Sequence, residues 1–269
     1  MKRLLVFFFI STLLLFHSST LIRSQNFDFK TAYNDYLSTY NQYRTAHEEY
    51  TTASQAYLSY QTLTSKNEAF SKTLKMLSLR DEVVMTYLAA IRLKLAETTK
   101  ITNYEQNVFY LKLDNEINWY SEHRDSLPSA GNLEDLLDTS TEAQQKYRET
   151  EVFIYPVLGA ILGGKETNLR DKINRNLETI KSKLAEIKQK GGKNTTVAER
   201  WLLEAENRLT RSSQKQISAQ KTLSQIRAYD SDKERTYSQA QLTLGESHQY
   251  LKEANSNLRE LITEVKNAD

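Results

Sequence analysis

Ten positions spaced seven residues apart run through the C-terminal quarter of the chain: Leu202, Leu209, Gln216, Leu223, Asp230, Tyr237, Leu244, Leu251, Leu258 and Val265. Eight of the ten are apolar, and a second series lies three residues further on: Ala205, Ser212, Ala219, Ile226, Lys233, Ala240, Ser247, Ala254 and Leu261. A sustained heptad of this kind predicts a helix packed along its length against other helices. Read as one element, it predicts a single helix from about 196 to 267, whose seam alone covers roughly 95 Å at ~1.5 Å per residue. A Lys190-Gly191-Gly192-Lys193-Asn194 turn precedes it, with Thr195 or Thr196 as the cap and Glu199 in reach of it.

A second heptad, of aromatic residues, occupies 28 to about 64. Phe29, Tyr36, Tyr43, Tyr50 and Tyr57 recur every seven, Tyr33 and Tyr40 widen the stripe, and Ala32, Thr39, Ala46 and Ala53 alternate with the rings. Large rings beside small residues suit interdigitation with a close neighbouring helix. The same stripe is also a candidate stacking platform for a ligand such as a glycan. A further helix begins near Ser65, read as an N-cap with Glu68 completing a capping box. It carries Phe70, Leu74, Leu77, Asp81, Val84, Leu88, Ile91 and Leu95 on one face. Asp81 stands in that seam, which predicts a cation from another helix opposite it. A third helix is expected from Asn103 to about His123.

The clearest break is Ser126-Leu127-Pro128-Ser129-Ala130-Gly131-Asn132. It divides an N-terminal three-helix unit (26–126), through a linker (127–132), from a C-terminal long-helix hairpin (133–269). That hairpin opens with an acidic helix over 133–151. An uncharged run follows over 152–164, comprising Val152, Phe153, Ile154, Tyr155, Pro156, Val157, Leu158, Gly159, Ala160, Ile161, Leu162, Gly163 and Gly164. Pro156 predicts a kink there. A basic helix comes next, with Leu169, Ile173, Leu177, Ile180, Leu184 and Ile187 on one face. The fold class is therefore all-α, an elongated antiparallel helical bundle with long coiled-coil-like helices. Only two prolines and seven glycines in 269 residues agree with this.

Charge and composition narrow the function. Met1-Lys2-Arg3, a stretch from Leu4 to Phe16 that is apolar except for Ser11 and Thr12, the polar His17-Ser18-Ser19-Thr20 and the following Leu21-Ile22-Arg23-Ser24-Gln25 read as an export signal. Removal after Ser24 or near Ser19 and retention as an uncleaved anchor are the two rival outcomes, since Leu4 to Ile22 approaches the ~20 residues of a membrane helix. The expected location is secreted, periplasmic or at the cell envelope. Without Lys2, Arg3 and Arg23 the chain carries 33 basic and 34 acidic residues, which gives no electrostatic case for nucleic acid. Residues 165–193 hold nine Lys or Arg against four acids. That run reads either as contact with an anionic surface or, preferably, as a face paired with the acidic helix 133–151.

Recognisable chemistry is lacking. There is no cysteine, and none of His47, His123 and His248 has Glu three residues before it, so the Glu-x-x-His ligand set of a di-iron bundle is not present. No His-x-x-x-His pair, Gly-x-Ser-x-Gly elbow or phosphate-binding loop occurs either; Gly159 to Lys165 is followed by Glu166. Asn194-Thr195-Thr196 matches a glycosylation sequon, relevant only in a eukaryotic source. The expectation is a non-enzymatic protein with no cofactor, no metal and no small-molecule substrate. It would act as a spacer, scaffold or interaction surface, with a protein partner or self-association through helices. The alternative is a membrane-active helical protein that inserts Val152, Phe153, Ile154, Tyr155, Pro156, Val157, Leu158, Ile161 and Leu162 as an apolar tip.

Overall fold

A computed structural model describes residues 28–191 and 194–267. The export-signal segment at 1–25 lies outside the described residues. Among the described residues there are six α-helices and one short 3-10 turn. They are α1 (Phe29–Tyr60), α2 (Leu63–Ala96), α3 (Asn103–Ser126), α4 (Leu133–Lys190), α5 (Thr196–Ser224) and α6 (Lys233–Asn267). The fold is an all-α bundle.

The first three helices start and stop on local signals. Asp28 caps α1 by accepting from Thr31 N, and Gln61 ends it in a left-handed conformation. The predicted cap of α2 shifts by three residues. Thr62, not Ser65, is the N-cap, and Ser65 returns the bond from the third helical position, so Glu68 has no part in it. Thr102 caps α3 through Glu105 N. The expected linker at 127–132 is a tight turn: Leu127–Ser129 form the 3-10 element, Leu127 is buried, and Asn132 caps α4 with Asp135 completing a capping box.

Residues 133–190 form one helix, where the sequence pattern predicted an acidic helix, a kinked joint and a basic helix. At ~1.5 Å per residue, its 58 residues span about 87 Å. Pro156 lies inside it. A proline in a helix interior sacrifices a backbone bond and costs ~3 kcal/mol. Burial of Ile154, Tyr155 and Val157 around it offsets that cost.

The first half of α4 packs into the N-terminal unit as a fourth helix. It runs parallel to α2: Ser140 meets Arg80 near its start, and Asn168 meets Thr99 beyond the end of α2. One core joins Tyr33, Tyr36, Tyr43, Met76, Leu77, Val83 and Leu136. A second joins Val84, Leu88, Ile91, Leu95, Leu113 and Tyr120 to Ile154, Val157 and Ile161.

The single C-terminal helix expected over 196–267 is instead a hairpin. α5 and α6 are antiparallel, held by Arg208–Glu253, Lys215–Glu246 and a bond between the hydroxyls of Ser212 and Ser247. The chain turns at 225–232, where Asp230 accepts from Arg227 N and Thr236 N donates to Asp232 O. Both seams survive the turn. Leu209, Leu251 and Leu258 meet in one core with Ala205 and Ala254, and Leu223, Tyr237 and Leu244 meet in another with Ala219 and Ala240. Leu202 and Val265 flank the seam, partly buried. The second half of α4 completes a three-helix bundle with this hairpin, through Ile173, Leu177 and Leu184.

Candidate functional site

The three groups of residues singled out in the sequence converge at the middle of α4. Residues 152–164 are buried on two sides. Ile154, Val157 and Ile161 face α2 and α3, while Tyr155, Val152, Leu158 and Leu162 face the end of α5 and the start of α6. Phe153 packs on Phe109, their rings 6.2 Å apart, and Pro156 is half-buried. Two close approaches explain the small residues here. A Cβ on Gly159 would collide with Leu223 of α5. One on Gly164 would stand 2.7 Å from Thr99 O and 2.8 Å from Thr98 Cγ2, in the loop joining α2 and α3.

The aromatic stripe meets this junction at one end. Tyr36 lies 5.3 Å from Tyr87 of α2 and stacks at 6.1 Å on Tyr40. Tyr155 stacks on Tyr237 of α6 at 4.6 Å. Tyr87 lies within electrostatic reach of Tyr147, Tyr237, Tyr36 and Tyr33, so rings from α1, α2, α4 and α6 share one neighbourhood. Burial pushes the hydroxyls of Tyr36, Tyr87, Tyr147 and Tyr155 far above the usual phenol range, and that of Tyr237 up to about 12. None of these five hydroxyls ionises near neutral pH, so none can serve as a base. Along the rest of the stripe, Tyr43 is buried in the α1–α2 core, Tyr50 is half-buried against it, and Tyr57 is half-buried.

Buried charge is arranged in layers. Asp81 is fully buried and meets His123 Nδ1 of α3 at 2.6 Å, so the seam carboxylate faces a titratable base from another helix. His123 Nε2 donates to Thr139 O at 3.1 Å, and the ring stacks on Trp119 at 4.9 Å. Burial lowers the imidazole pKa, but the bond and charge of Asp81 outweigh it and the net shift is upward. Both ring nitrogens are thus committed, one to Asp81 and one to Thr139 O.

A second layer, Glu116 with Lys146 and Thr150, lies beside Tyr120. A third bridges the two halves of the molecule: Glu151 accepts from Tyr155 Oη at 2.7 Å and pairs with Lys233 at 2.6 Å. A fourth crosses the C-terminal bundle. Glu166 meets His248 at 3.1 Å, Arg170 donates to Gln216 Oε1 at 2.7 Å, and Gln216 donates to Gly163 O at 3.0 Å. Burial raises the Glu166 pKa, against the pull of His248 and Arg170.

Among the described residues no cluster of three or more His, Asp or Glu side chains could hold a metal, and no helix is long and apolar enough to cross a membrane. The surface holds a feature the sequence reading missed. Leu58, Tyr60 and Leu63, at the α1–α2 turn, are 70%, 74% and 75% exposed. The signal for it was the uncharged run 50–65, between Glu49 and Lys66. Comparison with protein-family models, with curated proteins and with solved structures gives no match to the chain.

Proposed function

We propose that this chain is an exported, non-enzymatic helical rod, a spacer, scaffold or interaction surface at the cell envelope or outside the cell. The observation that carries the reading is α4. One 58-residue helix serves two bundles in turn, so the N-terminal and C-terminal units are held at a fixed separation. A shaft of this kind suits a mechanical or presenting role. The interior supports that reading too, because Asp81 meets His123, Glu116 meets Lys146 and Glu151 meets Lys233, and its buried tyrosines stay protonated. The exposed Leu58, Tyr60 and Leu63 give the rod one apolar end for contact with a partner.

Membrane insertion by 152–164 would require removing that segment from contact with α2, α3, α5 and α6 together. The expected result is therefore no leakage from vesicles mixed with the native chain. The direct test is fractionation of expressing cells, with intact-mass measurement and small-angle scattering of the recovered product. A product outside the cytoplasm, with a maximum dimension of about 90 Å or more, is expected. A chain retained in the cytoplasm, or a markedly smaller particle, overturns the proposal.

A further inference from the structure

The basic run 165–193 and the acidic segment 133–151 were expected to neutralise each other. They cannot do so within one molecule, because they are opposite ends of the same helix. Glu149 and Lys172 are 23 positions apart in an unbroken α4, about 35 Å along its axis. Each therefore needs a different partner.

On the basic side, the flank of α4 that meets α5 is satisfied: Lys181 pairs with Glu206 and Lys188 with Glu199. The opposite flank is not. Lys172, Lys183 and Lys190 recur at intervals of eleven and seven, which places them within about 20° of one another around an α-helix. On α6, the flank toward α5 is likewise taken, by Glu246 with Lys215 and Glu253 with Arg208. Lys252, Arg259 and Lys266, seven apart, lie on its other side, the side from which His248 reaches Glu166 of α4. All six bases are exposed, and none has a carboxylate partner among the described residues. Since α4 and α6 run parallel, they form one basic face, about 27 Å long on α4 and 21 Å on α6. Glu186 is the acid that α4 carries between Lys183 and Lys190.

On the acidic side, Glu134, Asp138, Glu142 and Glu149 are exposed and make no ion pair among the described residues. Their spacing of four, four and seven puts them on one side of α4, over about 22 Å. Two unpaired stripes of opposite sign and matching length thus sit at opposite ends of one shaft.

We infer that the basic face of α4 and α6 docks the acidic stripe 134–149 of a second copy, giving head-to-tail association. The stripes are different surfaces, so the contact is heterologous and leaves a free stripe at each end for further copies. Exposed ion pairs are individually weak and screened by salt, so the association depends on several acting together and weakens as salt rises. The inference stands beside the scaffold reading: a chain found outside the cytoplasm only as single copies removes this contact and leaves that reading intact.

Sedimentation velocity of the full chain tests it, at about 10 mM salt, where the screening length is ~30 Å, and at about 1 M, where it is ~3 Å. The expected mass at low salt is at least twice that of one copy, falling to one copy at high salt. A basic-face variant (Lys172→Gln, Lys183→Gln, Arg259→Gln) and an acidic-stripe variant (Asp138→Asn, Glu142→Gln, Glu149→Gln) should each stay single, with native circular dichroism. Mixed together they should form a capped 1:1 complex and nothing larger, because each supplies the one stripe the other has lost. A native chain that stays single at low salt overturns the inference, as does association that survives in either variant alone. Single copies that instead bind phosphatidylglycerol vesicles also overturn it and assign the basic face to a polyanion.

Discussion

Gly164 reports on how the two halves of the molecule are joined, and its replacement by alanine gives a sign that helix propensity alone does not. In an unobstructed helix interior, glycine to alanine stabilises by about 0.5–1 kcal/mol. Gly245 of α6 is such a position: it is exposed, and an added Cβ there meets nothing within 4 Å. At Gly164 the same methyl would stand 2.7 Å from the backbone oxygen of Thr99, 2.8 Å from Thr98 Cγ2 and 3.3 Å from Ile101 Cγ1. That loop cannot retreat freely. Thr99 is tied to Asn168 at 2.6 Å, and Lys100 to Asp171 at 2.6 Å. Overpacking against such a neighbour costs about 1–3 kcal/mol. Net of the propensity gain, Gly164→Ala should lose up to about 2.5 kcal/mol, while Gly245→Ala gains about 0.5–1. Urea denaturation of the native chain and the two variants measures the split, expected to equal the overpacking cost of about 1–3 kcal/mol. Equal stabilisation by both substitutions would refute the close approach of the α2–α3 loop to α4.

Two further outcomes follow from buried seam and charge. Leu251→Asp removes a fully buried side chain facing Leu209 and Leu258 and leaves an uncompensated carboxylate, so urea denaturation should show a loss of about 5 kcal/mol; an unchanged midpoint would place Leu251 in solvent. His123 has its pKa raised above 6.5 in the folded chain, so its pair with Asp81 stabilises fully below that value and less as pH rises through the raised folded pKa. The melting temperature of the native chain should therefore exceed that of His123→Gln most at pH about 6, with the gap narrowing toward pH about 9. A gap that widens with pH would contradict a charged imidazole at this position.

The helical face of each segment was legible because periodicity records which side is buried. Leu88 and Leu95 are fully buried, as their spacing demanded, and Asp81 meets the imidazole of His123 because a charge in an apolar seam has few other solutions. What periodicity does not record is where a helix ends when both sides of a break keep the same phase. The run 152–164 lacked charge and contained Pro156, which read as a joint. The helix continues because two separate cores grip that run from opposite sides, and no local rule anticipates tertiary support of that kind. The charge pairing failed for the same reason. Segments 133–151 and 165–193 are neighbours in sequence, but a continuous helix between them holds them apart, and Lys181 and Lys188 of the basic segment find their partners on α5. The exposed tip at Leu58, Tyr60 and Leu63 escaped notice because apolar residues at a turn resemble the seam that leads up to it.

The same seam explains how a pattern predicting one long rod produced a hairpin. A seven-residue repeat states only that one side of the helix meets a neighbour; a second chain and the same chain folded back satisfy it equally. The choice is encoded in the polar interruptions. Gln216 and Ser212 interrupt the two series within α5, and Ser247 interrupts the second within α6; Ser212 and Ser247 bond each other, and Gln216 bonds Arg170 and Gly163 O of α4. At such a polar layer a seam position is matched by polar positions on the facing helices, which fixes the register of all three. Asp230 and Lys233 differ in being successive seam positions that are both charged. Over that stretch the seam offers a neighbour nothing apolar, and Asp230, Ser231 and Asp232 supply turn-forming side chains. An isolated polar seam residue therefore marks a layer, whereas two charged ones in succession mark the place where the rod bends back.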